Sequence, residues 1–149
     1  MDWKTIISEK SMDIVVKYEE SNGRKTKIVN TKGVGYDILS EKEEEQRFIE
    51  VKATNESWKT YNWLPLYYSE VNCLNKYPDK FYLYIIKFNL DKNNRNKENL
   101  DVADYEIFVI NGTELLENFK IKPETFSLSP ISQRKLAKYM LDRKSTRLN

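Results

Sequence analysis

Asp37, Glu50 and Lys52 are the residues of this chain whose types and spacing carry the most chemistry. Phe48, Glu50 and Lys52 alternate with Ile49 and Val51, so a strand of period two puts the aliphatic pair on one face and both charged side chains on the other. Ahead of them, Gly33 to Ser40 reads as a neighbouring strand and Glu41 to Glu45 as a charged, exposed connection. Paired as a hairpin, the two strands return Asp37 opposite the region of Glu50, which converges two carboxylates and one ammonium. Carboxylates this close repel, and partial burial adds to the cost unless a cation sits between them. A hard divalent ion such as Mg²⁺ removes that cost, because it prefers carboxylate and water oxygens. The Glu50-Val51-Lys52 word alone also fits an ion pair on an exposed sheet face, worth ~0–1 kcal/mol.

The composition narrows the mechanisms open to such a cluster. With 149 residues, 40% of them hydrophobic and 32% charged, the chain has the make-up of one soluble globular domain. It contains no histidine, which removes Ser-His-Asp triads, Cys-His pairs and His-liganded zinc, and leaves carboxylates, lysines and a metal for hydrolysis. One cysteine, Cys73, allows no internal disulfide, so a cytoplasmic, intracellular setting is expected. The net charge of +2 argues against a strongly basic coat for nucleic acid but leaves room for a local basic rim. The aromatic set of 10 Tyr, 6 Phe and 3 Trp supplies core and groove surfaces alike. No signal peptide is apparent, and Phe81 to Leu90, the most apolar stretch, is far short of the ~20 residues that span a membrane.

The elements that must position these residues follow in order. Ile6 to Glu20 reads as a first helix, capped at Thr5 or Ser8 and stopped by Asn22-Gly23. Lys25 to Asn30 is a weak strand, followed by a glycine turn that lacks the full phosphate-loop word. Trp58 and Trp63 suit an edge strand or an aromatic lid, and Ser69 is expected to cap a helix from Glu70 to about Lys76. Phe81 to Phe88 is a central strand and Tyr105 to Ile110 another, with Asp91 to Asn99 a solvated loop between them. Thr113 is expected to cap a short helix to Phe119, and Ser132 or Ser129 a last helix to Leu141. The order α-β-β-β-α-β-β-α predicts an α/β domain over residues 1–142, with a mixed central sheet flanked by helices. Residues 143–149 read as a disordered tail or an expression remnant.

The chain resembles the PD-(D/E)xK, or restriction-endonuclease-like, superfamily, and within it the NO VEIN carboxy-terminal domain. Asp37 with Glu50-Val51-Lys52 carries the first resemblance. The ordered words Tyr18-Glu19, Gly23-Arg24, Gly35-Tyr36-Asp37-Ile38, Phe48 to Lys52, Ser69-Glu70 and Tyr82-Leu83-Tyr84 carry the second, over roughly residues 6–116. The resemblance implies a restriction-endonuclease-like fold and a metal-dependent endonuclease that hydrolyses DNA, as a module of a restriction, defence or DNA-processing system. It implies Mg²⁺, with Mn²⁺ a substitute, held by Asp37, Glu50 and the Val51 carbonyl. Glu9 on the first helix helps in that scheme, with Glu19 and Glu20 as alternatives. Lys52 orients or helps to deprotonate the attacking water.

Such a module implies DNA as partner, together with a helicase, ATPase or methyltransferase module or a second copy of the chain. The other reading is a non-catalytic nucleic-acid-binding or protein-interaction module with a degenerate nuclease fold. There Arg24, Lys25, Lys27, Arg47 and Lys59 contact phosphates and tyrosines stack on bases. Arg134, Lys135, Lys138, Arg143 and Lys144 offer a second set of phosphate contacts near the chain end.

Overall fold

The computed structural model describes residues 2–54, 64–122 and 127–141. Its first helix, α1, runs from Trp3 to Ser21, longer than expected at the start because Asp2, not Thr5 or Ser8, is the cap and accepts from the Thr5 N–H at 2.8 Å. Ile7, Ser11, Ile14, Val15 and Glu19 are its buried residues, the spacing of one helical face. Gly23, at φ 78°, ends it in the left-handed region.

Three strands follow: β1 (Lys25–Ile28), β2 (Ile38–Lys42) and β3 (Glu45–Thr54). The expected acidic connection is largely strand, since Glu41 and Lys42 pair with Gln46 and Glu45 and leave a two-residue turn. Glu43 takes φ 57° there, as tight hairpin turns demand. A helix α2 (Tyr68–Lys76) then carries the chain to β4 (Phe81–Phe88), which lies parallel to β3, and β5 (Tyr105–Asn111) returns antiparallel to β4. The sheet order is β1-β2-β3-β4-β5.

The run read as a solvated loop contains a 3₁₀ turn (Lys92–Asn94) and a six-residue helix, α3 (Lys97–Val102). Asn96 caps that helix, and Leu100, its one buried residue, holds it on the sheet. Further on, α4 (Gly112–Asn118) is capped by Asn111 rather than Thr113. Beyond it lies an antiparallel pair, β6 (Phe119–Lys122) with β7 (Ser127–Pro130). The last helix, α5 (Gln133–Ala137), stops short of the expected Leu141. Its continuation lies along β5 instead, where Met140 bridges Phe108 and the Leu141 N–H donates to the Ile107 carbonyl at 2.9 Å.

The result is an α/β fold whose mixed sheet is covered on both faces. Ile7, Ile14 and Val15 of α1 and Leu100 of α3 pack with Ile38, Ile49, Tyr84 and Ile86 on one side. Cys73 and Leu74 of α2, Leu115 of α4 and Leu136 of α5 pack with Phe81, Leu83 and Ile85 on the other. Among the described residues no helix is long and apolar enough to cross a membrane.

Candidate functional site

β3 outruns β2, and the site lies in the gap this leaves. The β2–β3 register ends at Ile38 opposite Ile49, whereas β3 stays paired with β4 as far as Thr54 opposite Lys87. From Glu50 onward, one edge of β3 has no strand beside it among the described residues. Asp37 fills the first place there, its N–H donating to the Ile49 carbonyl at 2.8 Å and its Oδ2 accepting from the Val51 N–H at 2.9 Å. A side-chain carboxylate thus completes the ladder where β2 stops. In an extended residue the N–H and C=O point to the same edge, so the Val51 carbonyl faces the Asp37 side.

Phe48, Glu50 and Lys52 share the face that α2 covers, while Ile49, Val51 and Ala53 belong to the α1 side, as period two requires. Lys52 Nζ lies 3.4 Å from Glu50 Oε1 and 2.8 Å from Glu70 Oε1. Glu70 is the member of the cluster that the sequence reading missed. It sits in the first turn of α2, where its Oε1 also accepts from the Tyr67 N–H at 3.1 Å, and Tyr67 rather than Ser69 is the cap residue. A helix-start carboxylate is an ordinary capping signal, so nothing local marked it as a partner of Lys52.

Gly35 sets how closely α2 approaches this gap. At φ 87°, a Cβ there would overlap the Ser69 carbonyl oxygen and lie 2.8 Å from Cys73 Cβ. The glycine therefore serves the packing of α2, which carries Glu70, as well as the entry of Asp37 into the sheet.

Among the described residues the cluster is short of positive charge. Three carboxylates face one ammonium, and Glu50 and Glu70 are only 4% and 7% exposed. Burial, with Asp37 and Glu70 nearby, pushes the Glu50 carboxyl up to about 10, so its proton stays on at neutral pH. Burial also raises Asp37, against the opposing pull of the Val51 N–H and of its hydrogen bond with Glu50. Lys52 loses from burial but gains more from Glu50 and Glu70, and remains an ammonium. Cys73 beneath it is buried, and that burial, with Glu50 near, lifts its thiol to about 11, which makes it an inert packing group.

Asp37, Glu50, Lys52 and Glu70 line a pocket of about 500 Å³ whose opposite wall is α1. That wall presents Lys4, Ile7, Ser8 and Met12, but not Glu9. Glu9 is exposed and lines a neighbouring depression with Asp13 and Val16, because two residues of helix turn it ~200° away from Ile7. Among the described residues, no three of His, Cys, Asp or Glu are placed to hold a metal ion between them. The convergent acids are the Asp37–Glu50 pair, with Glu70 turned to Lys52.

Of the other expected contacts, Arg24 is corrected outright: it is 6% exposed, with Nε 2.8 Å from Ser40 Oγ and 3.5 Å from Glu19 Oε1. Glu19 is fully buried on the α1 side and accepts from the Tyr84 hydroxyl at 2.7 Å, while Arg47 reaches both of them. Glu19, Arg24, Ser40, Arg47 and Tyr84 thus form a network that ties α1 to three strands, a structural task rather than a ligand site. Burial and the Glu19 carboxylate hold the Tyr84 phenol protonated far above its usual range. Trp58, Lys59, Trp63, Arg143 and Lys144 lie outside the described residues.

The family described as Protein NO VEIN, C-terminal, matches residues 7–100, which span the whole pocket except its Lys4 rim. No curated protein matches the chain.

Proposed function

The chain belongs to the NO VEIN C-terminal family, and from that membership together with the Asp37, Glu50 and Lys52 pocket we infer a metal-dependent nuclease domain that hydrolyses DNA phosphodiesters. The observation that carries the reading is the buried excess of carboxylate at the open edge of β3, which holds a proton on Glu50 up to about pH 10. Such a site is costly to keep for stability alone and is suited to a divalent cation. The donor set fits Mg²⁺ or Mn²⁺: Asp37, Glu50 and the Val51 carbonyl are hard oxygens on one edge, and Mg²⁺ retains several waters of its own. Glu9 is not part of this set. When bound there, the ion supplies Lewis acidity toward the scissile phosphate and a water of lowered pKa.

The chain's own residues do the rest. Asp37 is anchored by the Val51 N–H, so its free oxygen is presented at a fixed place. Glu50 must give up its proton before it can serve as a ligand, which couples metal affinity to pH. Lys52, gripped by Glu50 and Glu70, keeps an ammonium at the pocket wall that orients the attacking water and offsets charge developing on the phosphate. The grip favours this role over that of a base.

The test is cleavage of plasmid or oligonucleotide DNA with Mg²⁺ or Mn²⁺. Asp37→Ala, Glu50→Gln and Lys52→Ala are each expected to lower the rate at least 100-fold, and a rate unchanged in all three removes the site. A second reading, a non-catalytic DNA-binding module of a restriction or defence system, is favoured by the absence of a three-acid metal cluster among the described residues. Salt-dependent DNA binding without cleavage, and without heat on metal titration, selects it.

A further inference from the structure

We propose that the pocket takes an unpaired nucleotide, so that the substrate is single-stranded DNA or a frayed end rather than the interior of a duplex. The inference rests on the nuclease reading for what becomes of the phosphate, and on the shape of the pocket for the rest. Glu50, which the phosphate must reach, is 4% exposed at the floor of a cavity of about 500 Å³. That volume suits one small ligand (typically ~300–1,000 Å³) and leaves no room for two stacked, paired strands. A duplex phosphate meets such a floor only after its nucleotide leaves the stack, and that costs least where the strand is already unpaired.

The walls fit the two halves of a nucleotide. At the mouth stands Tyr67, a large aromatic ring left 61% exposed, with the Lys52 ammonium 5.0 Å from its centroid. Pro65, Ile7 and Met12 complete an apolar wall against which a base stacked on Tyr67 loses its water. Lys52 within and Lys4 at the rim supply positive charge for the adjoining phosphates, which the acidic floor would otherwise repel. An aromatic platform beside cations is how proteins hold single strands without reading sequence.

The experiment uses Glu50→Gln as a background that does not cleave, with single-stranded and blunt-duplex oligonucleotides carrying 2-aminopurine. Single strands are expected to bind with quenched fluorescence, and duplexes to bind more weakly and stay bright. Adding Tyr67→Ala is expected to abolish the quenching and weaken binding about tenfold, whereas Tyr67→Phe keeps both. Duplex bound as tightly as single strand, quenching unaffected by Tyr67→Ala, or no quenching at all overturns the proposal. Cleavage by the wild-type chain separates the two claims. Quenching without cleavage sinks the nuclease reading alone, and blunt duplex cut as fast as single strand sinks this inference alone.

Discussion

Replacing Glu50 by glutamine is expected to make the metal-free protein more stable, and by an amount that grows with pH. In the fold the Glu50 carboxyl is held up to about 10, against an ordinary value of 4.5. Below pH 4.5 both folded and unfolded chains carry the proton and the group contributes nothing. Above it the unfolded chain releases the proton and the folded one keeps it, so stability falls by ~1.4 kcal/mol per pH unit until the folded group ionises. At pH 7 the accumulated cost is about 3 kcal/mol. Glutamine is neutral at every pH, keeps an oxygen for Lys52 and an N–H in place of the acid proton toward Asp37, and does not carry this cost. The wild-type and Glu50→Gln proteins should therefore have equal urea midpoints near pH 4 and diverge steadily to pH 8.5, with chelator present and m unchanged. At ~2–4 °C per kcal/mol, the Tm gap at pH 7 is about 10 °C. Mg²⁺ should close that gap by stabilising the wild type alone, by ~3 kcal/mol at a hundredfold excess over Kd. Parallel stability curves, or a glutamine variant less stable at pH 7, would refute the reasoning.

Three further outcomes follow from the packing. Glu19→Gln leaves Arg24 and Arg47 facing a neutral group at a fully buried place and should cost about 3 kcal/mol or more in chemical denaturation. Tyr84→Phe should cost about 1–3 kcal/mol, because it strips the 2.7 Å donor from that carboxylate. Gly35→Ala places a Cβ on the Ser69 carbonyl at a φ of 87° and should lower the Tm by 5 °C or more. It should also reduce cleavage beyond what the lost stability explains, since α2 and Glu70 must shift; unaltered cleavage at a temperature where the variant is fully folded would show that α2 does not set the site.

The short-range parts of this architecture were legible in the chain. The alternation through Phe48, Glu50 and Lys52 needs only the two-residue repeat of a strand, and β4 follows from a continuous apolar run. Elements that owe their form to a single anchor were not legible. α3 has no periodicity to read, being six residues held by Leu100, and the C-terminal helix gives way at Lys138 because its chain is drawn alongside β5. Arg24 looked like a phosphate contact because a basic residue after a glycine turn is usually solvated. Its burial depends on Ser40 and Glu45, 16 and 21 residues away.

By itself the sequence determined that two acids and a lysine share one hairpin and that histidine chemistry is closed to this protein. Only the tertiary structure decided what state those groups are in. It removed Glu9 by turning it away and brought in Glu70 from α2. It also buried the cluster until Glu50 holds its proton. The physical reason is range: which way a side chain points is a matter of its own few residues. The charge it can carry is set by every carboxylate, ammonium and water-excluding wall that other parts of the chain place around it.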